Sequence, residues 1–291
     1  MTTLSFSATS TWANAAGLQA SLQEIYNLVT ATGMVQTADT GQIDRFTTTA
    51  SYVANTVFGY MMFKTNDGFV DIYLKVSFAW GNSSNRYGIY TEVGIGTNGA
   101  GTLTGAVTFG TLNTNNDQSS ASLTSRACGI SGCYWVEYRG AANNPYPHFF
   151  FSIMRFCGAN GLPNDNGFVA YMQNKAGNLV CGQVTFDGVG GASLAGTTFG
   201  YCATPVLAVG AMSDGDIQTW KHYTAQPRVR VNPFALTRDY GAIAEGLTRE
   251  LTIASQTRTY IALNSGTYRG CSMSAVGTAA PNNVAIMLPW M

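Results

Sequence analysis

The sequence predicts a mainly β protein: an antiparallel sandwich or distorted barrel with one N-terminal α-helix. Three observations predict this. Beyond about residue 45, apolar residues recur in short runs at period two, separated by glycine and polar clusters. Only one stretch, near the N-terminus, follows the helical period. The 33 glycines, 15 tyrosines and 15 phenylalanines, with charged residues at only 10%, suit turns and strands better than a coiled coil or a charged bundle.

The helix comes first. In 13–32, Leu18, Leu22, Ile25 and Val29 recur at offsets of four, three and four and share one face. Asn14 or Thr11 is placed to cap its start, and Gly33 sits where a C-terminal glycine belongs. Glu24 is its one charged residue. The period changes near residue 45, so 1–45 is read as a helical docking segment and 46–291 as a β-rich domain, with a further division near 200–225.

The clearest hairpin comes next. Val70, Ile72, Leu74, Val76, Phe78 and Trp80 alternate along 69–80. A polar loop, 81–86, leads into the alternating 87–95. Other strands are expected at 52–64, 106–112, 134–138, 148–156, 168–172, 179–186, 206–212, 228–231, 250–254, 259–263, 268–275 and 284–288. Loops are expected at Asn113–Asp117, at Asn164-Asp-Asn-Gly167 and at 187–200.

Motifs that carry chemistry are few. Gly94-Ile-Gly-Thr-Asn-Gly99 matches a dinucleotide fingerprint, but no helix-forming sequence comes after it to hold a pyrophosphate, so the glycines read as a turn. Asp214 and Asp216 flank a glycine, as in a tight turn, and as a carboxylate pair they fit ion binding or glycan cleavage less well. The two histidines, His148 and His222, accompany no nucleophile elbow. Six cysteines (128, 133, 157, 181, 202 and 271) lie mostly in apolar surroundings and read as buried free thiols. The Cys128/Cys133 spacing lacks the second pair that structural zinc needs. No catalytic residue, metal or cofactor is therefore expected. Trp135, Trp220 and Tyr223 are candidates for an aromatic platform that contacts glycans. Arg228 and Arg230 flank Val229 and would share one face of a strand, so they join Leu18, Leu22, Ile25 and Val29 as interface candidates.

The charge balance narrows the partners. The 15 basic and 15 acidic side chains cancel, so nothing favours nucleic acid or a membrane. Residues 1–220 hold 8 basic and 12 acidic side chains, and 221–291 hold 7 and 3 (8 + 7 = 15 and 12 + 3 = 15). Ends of opposite sign suit pairing within the fold or between subunits. A surface this neutral tends to associate, so a homo-oligomer is expected. No run reaches the ~20 apolar residues of a membrane helix. The N-terminus lacks the basic and apolar regions of a secretion signal.

Two stretches carry a family likeness. Thr11-Trp-Ala-Asn-Ala-Ala-Gly-Leu-Gln-Ala-Ser-Leu-Gln-Glu-Ile-Tyr26, continuing through Thr32-Gly-Met-Val-Gln-Thr-Ala-Asp-Thr-Gly-Gln-Ile43, resembles the opening of virion-structural proteins of tailed bacteriophages. Val93-Gly-Ile-Gly-Thr-Asn-Gly-Ala-Gly-Thr-Leu-Thr-Gly105 is similar to glycine-rich stretches of the same group. The resemblance implies a structural part of the particle, assembled in the host cytoplasm with other virion proteins, and transfers no catalytic residue. Tail, baseplate or fibre is the expected place. A capsid decoration protein, a receptor- or glycan-binding module that contacts the host surface, and a glycan-degrading enzyme are the alternatives.

Overall fold

A computed structural model describes residues 2–10, 14–49, 51–81, 86–108, 116–117, 121–130, 132–139, 147–158, 160–173, 179–186, 197–198, 217–219, 230–231, 235–238, 248–253, 256–263 and 284–290. Among the described residues the fold is mainly β, with antiparallel sheets and a single helix, as the sequence predicts. The barrel alternative falls away because no sheet closes on itself among the described residues.

The central sheet runs β1 (Thr2–Ser10), β10 (Ala121–Ile130), β11 (Cys133–Arg139), β12 (Pro147–Cys157), β13 (Pro163–Gln173), β14 (Leu179–Thr185) and β15 (Thr197–Thr198), with β17 (Arg230–Val231) also paired to β12. A second sheet runs β2 (Val35–Gln36), β3 (Val57–Lys64), β4 (Tyr73–Trp80), β5 (Arg86–Gly94) and β8 (Val107–Thr108), with β9 (Asn116–Asp117) paired to β5. Strands β6 (Gly96–Thr97) and β7 (Leu103–Thr104) form a small ribbon. The third large sheet runs β16 (Ile217–Thr219), β18 (Ala235–Arg238), β21 (Val284–Pro289), β20 (Gln256–Leu263) and β19 (Thr248–Ile253).

Helix α1 (Ala15–Ala31) starts at Asn14, whose side-chain oxygen accepts the Gly17 N–H at 2.8 Å. It ends at Thr32, after which Gly33 turns the chain away at φ +90°, a conformation that glycine adopts without strain. The helix lies on β1, β10 and β11, while β5 and β8 of the second sheet cover β12, β13 and β14. Helix and second sheet thus share one face of the central sheet. Their common core includes Leu22, Ile25, Phe63, Leu74, Val136 and Phe151.

Alternation along β11 sends Tyr134, Val136 and Tyr138 into that core and Cys133, Trp135 and Glu137 to the opposite face. The third sheet meets that opposite face. The Trp135 indole N–H donates to the Pro289 carbonyl at 2.8 Å, the Cys128 thiol donates to the Trp290 carbonyl at 3.3 Å, and the Trp135 and Trp290 rings lie 5.7 Å apart.

Three sequence expectations change. Leu18, Leu22, Ile25 and Val29 are buried against the chain's own sheets and present nothing to a neighbouring subunit. Each such burial is worth about 1.5–3 kcal/mol, which is the reason the face turns inward. The change of period at residue 45 does not interrupt packing, because the core takes side chains from both sides of it. Finally, Asn164–Gly167 lies within β13, and residues 67–70 form a bend ahead of β4.

Candidate functional site

A dense polar cluster joins the central and second sheets. Arg155 stands in β12 within the apolar run Phe149-Phe-Phe-Ser-Ile-Met-Arg-Phe156. Its position in the pleat puts it on the same face as Phe151 and Ile153, under the second sheet. It is 0% exposed. An unpaired guanidinium there would cost several kcal/mol, so the fold must bring it an anion.

The bend between β3 and β4 supplies one. Arg155 Nε donates to Asp67 Oδ2 at 2.7 Å and its Nη2 to Asp67 Oδ1 at 2.8 Å, a two-pronged grip. The same Nη2 also donates to the Val70 carbonyl at 2.8 Å and to Thr65 Oγ1 at 3.1 Å. The Tyr134 hydroxyl donates to Asp67 Oδ2, and the Phe69 N–H to Oδ1 at 3.3 Å. Asp165 of β13 accepts the Val70 N–H at 2.7 Å and lies 3.9 Å from Arg155 Nη1. The guanidinium also sits 5.2 Å from the Phe69 ring centre.

Burial pushes the Asp67 carboxyl up, but the bonds from Arg155 and Tyr134 outweigh it and hold the group below its ordinary 3.8. Burial first, then donation to Asp67, raises the Tyr134 phenol far above its usual range. Both Asp67 oxygens are occupied, so the cluster acts as a clasp between sheets. It also explains the bend at 67–70: Val70, which the alternation put on a strand, gives its backbone to Arg155 and Asp165 and leaves its side chain exposed.

A second carboxylate organises the glycine-rich loop. Asp39 accepts the Thr97 hydroxyl and the Gly101 N–H (3.1 Å) on Oδ1, and the Thr37 hydroxyl (2.6 Å) on Oδ2. Burial raises this carboxyl, and the hydrogen bonds together bring it below the ordinary value. Gly101 adopts φ +81°, and a Cβ there would lie 2.2 Å from Tyr60 Cζ. The fingerprint glycines thus belong to a strand end and the β6–β7 ribbon that Asp39 pins.

No family model, curated protein or solved structure matches this chain. The clasp and the pinned loop are therefore read from their own geometry.

The residues singled out in the sequence scatter. Trp135 is 0% exposed between the central and third sheets, so its ring cannot present a platform to a glycan. Trp220, Tyr223, Arg228, Asp214, Asp216 and His222 lie outside the described residues. Arg230 pairs with Cys157 through β17. Cys128, Cys133 and Cys157 are buried, and Cys128 and Cys133 are free thiols, as the sequence predicts. Among the described residues no three His, Cys, Asp or Glu side chains converge on a metal position.

Periodicity and motifs did not single out Arg155, Asp67 or Asp39. Arg155 carried a signal, a lone cation in an apolar strand segment. Its partner did not, because Asp67 lies 88 positions away.

Proposed function

We propose that this chain is a structural subunit of a tailed-phage virion, tail-, baseplate- or fibre-associated, acting through assembly with copies of itself and with other virion proteins. The observation that carries the reading is the scarcity of surface charge. The chain has 15 basic and 15 acidic side chains in 291 residues. Glu24, Asp39, Glu137 and Arg155 among them are buried. Others pair with each other, as Lys64 does with Asp71 at 2.7 Å and Lys75 with Glu92 at 3.8 Å. Little charge is left to keep a free particle dispersed, and burying a neutral surface of the standard ~1,600 Å² carries little desolvation penalty. The phage-like stretches at 11–43 and 93–105 support the same reading.

The burial of Leu18, Leu22, Ile25 and Val29 removes the helix face as the contact. Assembly then rests on surfaces other than that face.

Quantitative mass spectrometry of purified particles tests the proposal. A fixed copy number per particle is expected, with a few to a few tens of copies for a tail position and hundreds for a capsid position. A protein that stays monomeric at high concentration and is absent from particles would overturn it.

A further inference from the structure

Helix α1 seats a carboxyl group in an unusual place. Glu24 is only 8% exposed, and its Oε1 accepts the Ser125 hydroxyl of β10 at 2.9 Å. Ser125 is itself buried. A hydroxyl is a modest partner for a charge removed from water.

Among the described residues the surroundings offer no counter-ion. Strand β1 contains no titratable residue between Thr2 and Ser10. On β10, Arg126 falls on the opposite face and pairs with Glu137 of β11. On the helix side β11 presents Tyr134, committed to Asp67, and Tyr138, another hydroxyl. After the helix, Asp44 is taken up by the Phe46 N–H and the Thr47 hydroxyl. Arg45 Nε donates to Gln23 Oε1 at 2.7 Å, and its guanidinium stacks 3.7 Å from the Tyr26 ring centre. From the second sheet, Phe63 meets the helix at Tyr26.

We propose that the joint between α1 and the central sheet is a proton-operated latch, seated firmly when Glu24 is protonated and loosened when it ionises. Opening the latch uncovers Leu22, Ile25 and Leu28 on the helix and Ala127, Val136 and Tyr138 on the sheet. The inference stands apart from the virion reading, since it concerns the joint alone.

The electrostatics agree with the geometry. Burial pushes the Glu24 carboxyl from its ordinary 4.5 up to about 7, and the Ser125 bond lowers it by less. A seated helix therefore keeps the proton over a pH range where a released one gives it up. The contribution to seating is fully present below 4.5, falls as pH rises, and is lost above about 7. The whole excursion, from 4.5 to about 7, corresponds to roughly a three-hundredfold change in the released population, and the part between pH 5 and pH 8 to roughly a hundredfold.

Amide hydrogen exchange on the full chain, corrected for intrinsic rates, tests this at pH 5 and pH 8. Protection along α1 should fall by roughly a hundredfold at the higher pH, while β12 amides keep theirs. Glu24→Gln should hold α1 protection equal at both values. Unchanged protection in the parent chain, a variant that follows the parent, or an equal loss in β12 would each overturn the latch. Should Glu24→Gln not fold, carboxyl-carbon NMR on the parent decides: a Glu24 midpoint near 7 upholds the proposal, and one near 4.5 defeats it.

Discussion

The indole N–H of Trp135 donates to the carbonyl of Pro289, 154 positions further along the chain. This bond, with the Trp135–Trp290 ring contact, docks the C-terminal strand on the central sheet. Trp135→Phe removes the donor and part of the packing and leaves a buried carbonyl unpaired. A loss of about 2–4 kcal/mol is expected in urea unfolding. Trp135→Leu should cost at least as much, since it also gives up the aromatic contact. A loss under ~0.5 kcal/mol in both would mean that the third sheet is not held there.

Arg155 and Asp67 should fail asymmetrically. Arg155→Met strands a half-buried carboxylate and should cost about 3 kcal/mol, whereas Arg155→Met with Asp67→Leu should recover much of that loss. The clasp also sets an acid limit. The Asp67 carboxyl is held below its ordinary 3.8, so its contribution is present above that value and disappears as pH falls through the folded value. Urea unfolding as a function of pH should show this acid loss in the parent chain and a smaller one in Asp67→Asn.

The buried thiols should be inert. Burial pushes Cys128 up to about 12, and Cys133 further in the same direction. The thiolate is the reactive form, so iodoacetamide at pH 8 followed by peptide mapping should leave positions 128 and 133 unmodified in the native chain. Denaturant should expose both. Prompt native labelling at either position would mean that the sheet face under Trp290 is open to solvent.

Local periodicity made part of this fold legible and left the rest unmarked. The helix showed because Leu18, Leu22, Ile25 and Val29 repeat at the helical period within one short segment, whatever covers them, and the β4–β5 hairpin showed through Leu74, Val76, Phe78 and Trp80. Strands β1 and β10 did not. Thr2–Ser10 and Ala121–Ile130 are rich in Ser, Thr and Ala, and their pairing, Thr2 with Gly129 through Ser10 with Ala121, joins segments more than a hundred positions apart. The clasp was half legible. Arg155 announced a buried cation, but Asp67 resembles any turn aspartate, and only tertiary pairing selects it over Asp165 or Asp71. Residues 67–70 misled for the same reason. Val70 and Ile72 do continue the alternation of Leu74, Val76 and Phe78, but the demand of Arg155 for backbone oxygen is not local.

Gly129 marks where the end of the helix touches the sheet. It faces Thr2 on one side and Tyr134 on the other in the central sheet. A Cβ built on it would lie 1.6 Å from the Thr32 carbonyl oxygen and 2.4 Å from that carbonyl carbon. The obstructing atoms are backbone at the C-cap of α1, so no side-chain rotation relieves the clash and the helix end must lift from the sheet. Gly68 provides the contrast: it adopts φ +83°, but nothing lies within 4 Å of its Cβ position. Gly68→Ala should therefore cost only the ~1–2 kcal/mol of a left-handed alanine. Gly129→Ala should cost about 3 kcal/mol or more, at or beyond the upper end of ordinary overpacking, and should selectively deprotect the last turn of α1 in hydrogen exchange. Equal losses for the two variants, with the helix end still protected in both, would mean that α1 does not rest on β10 at this point.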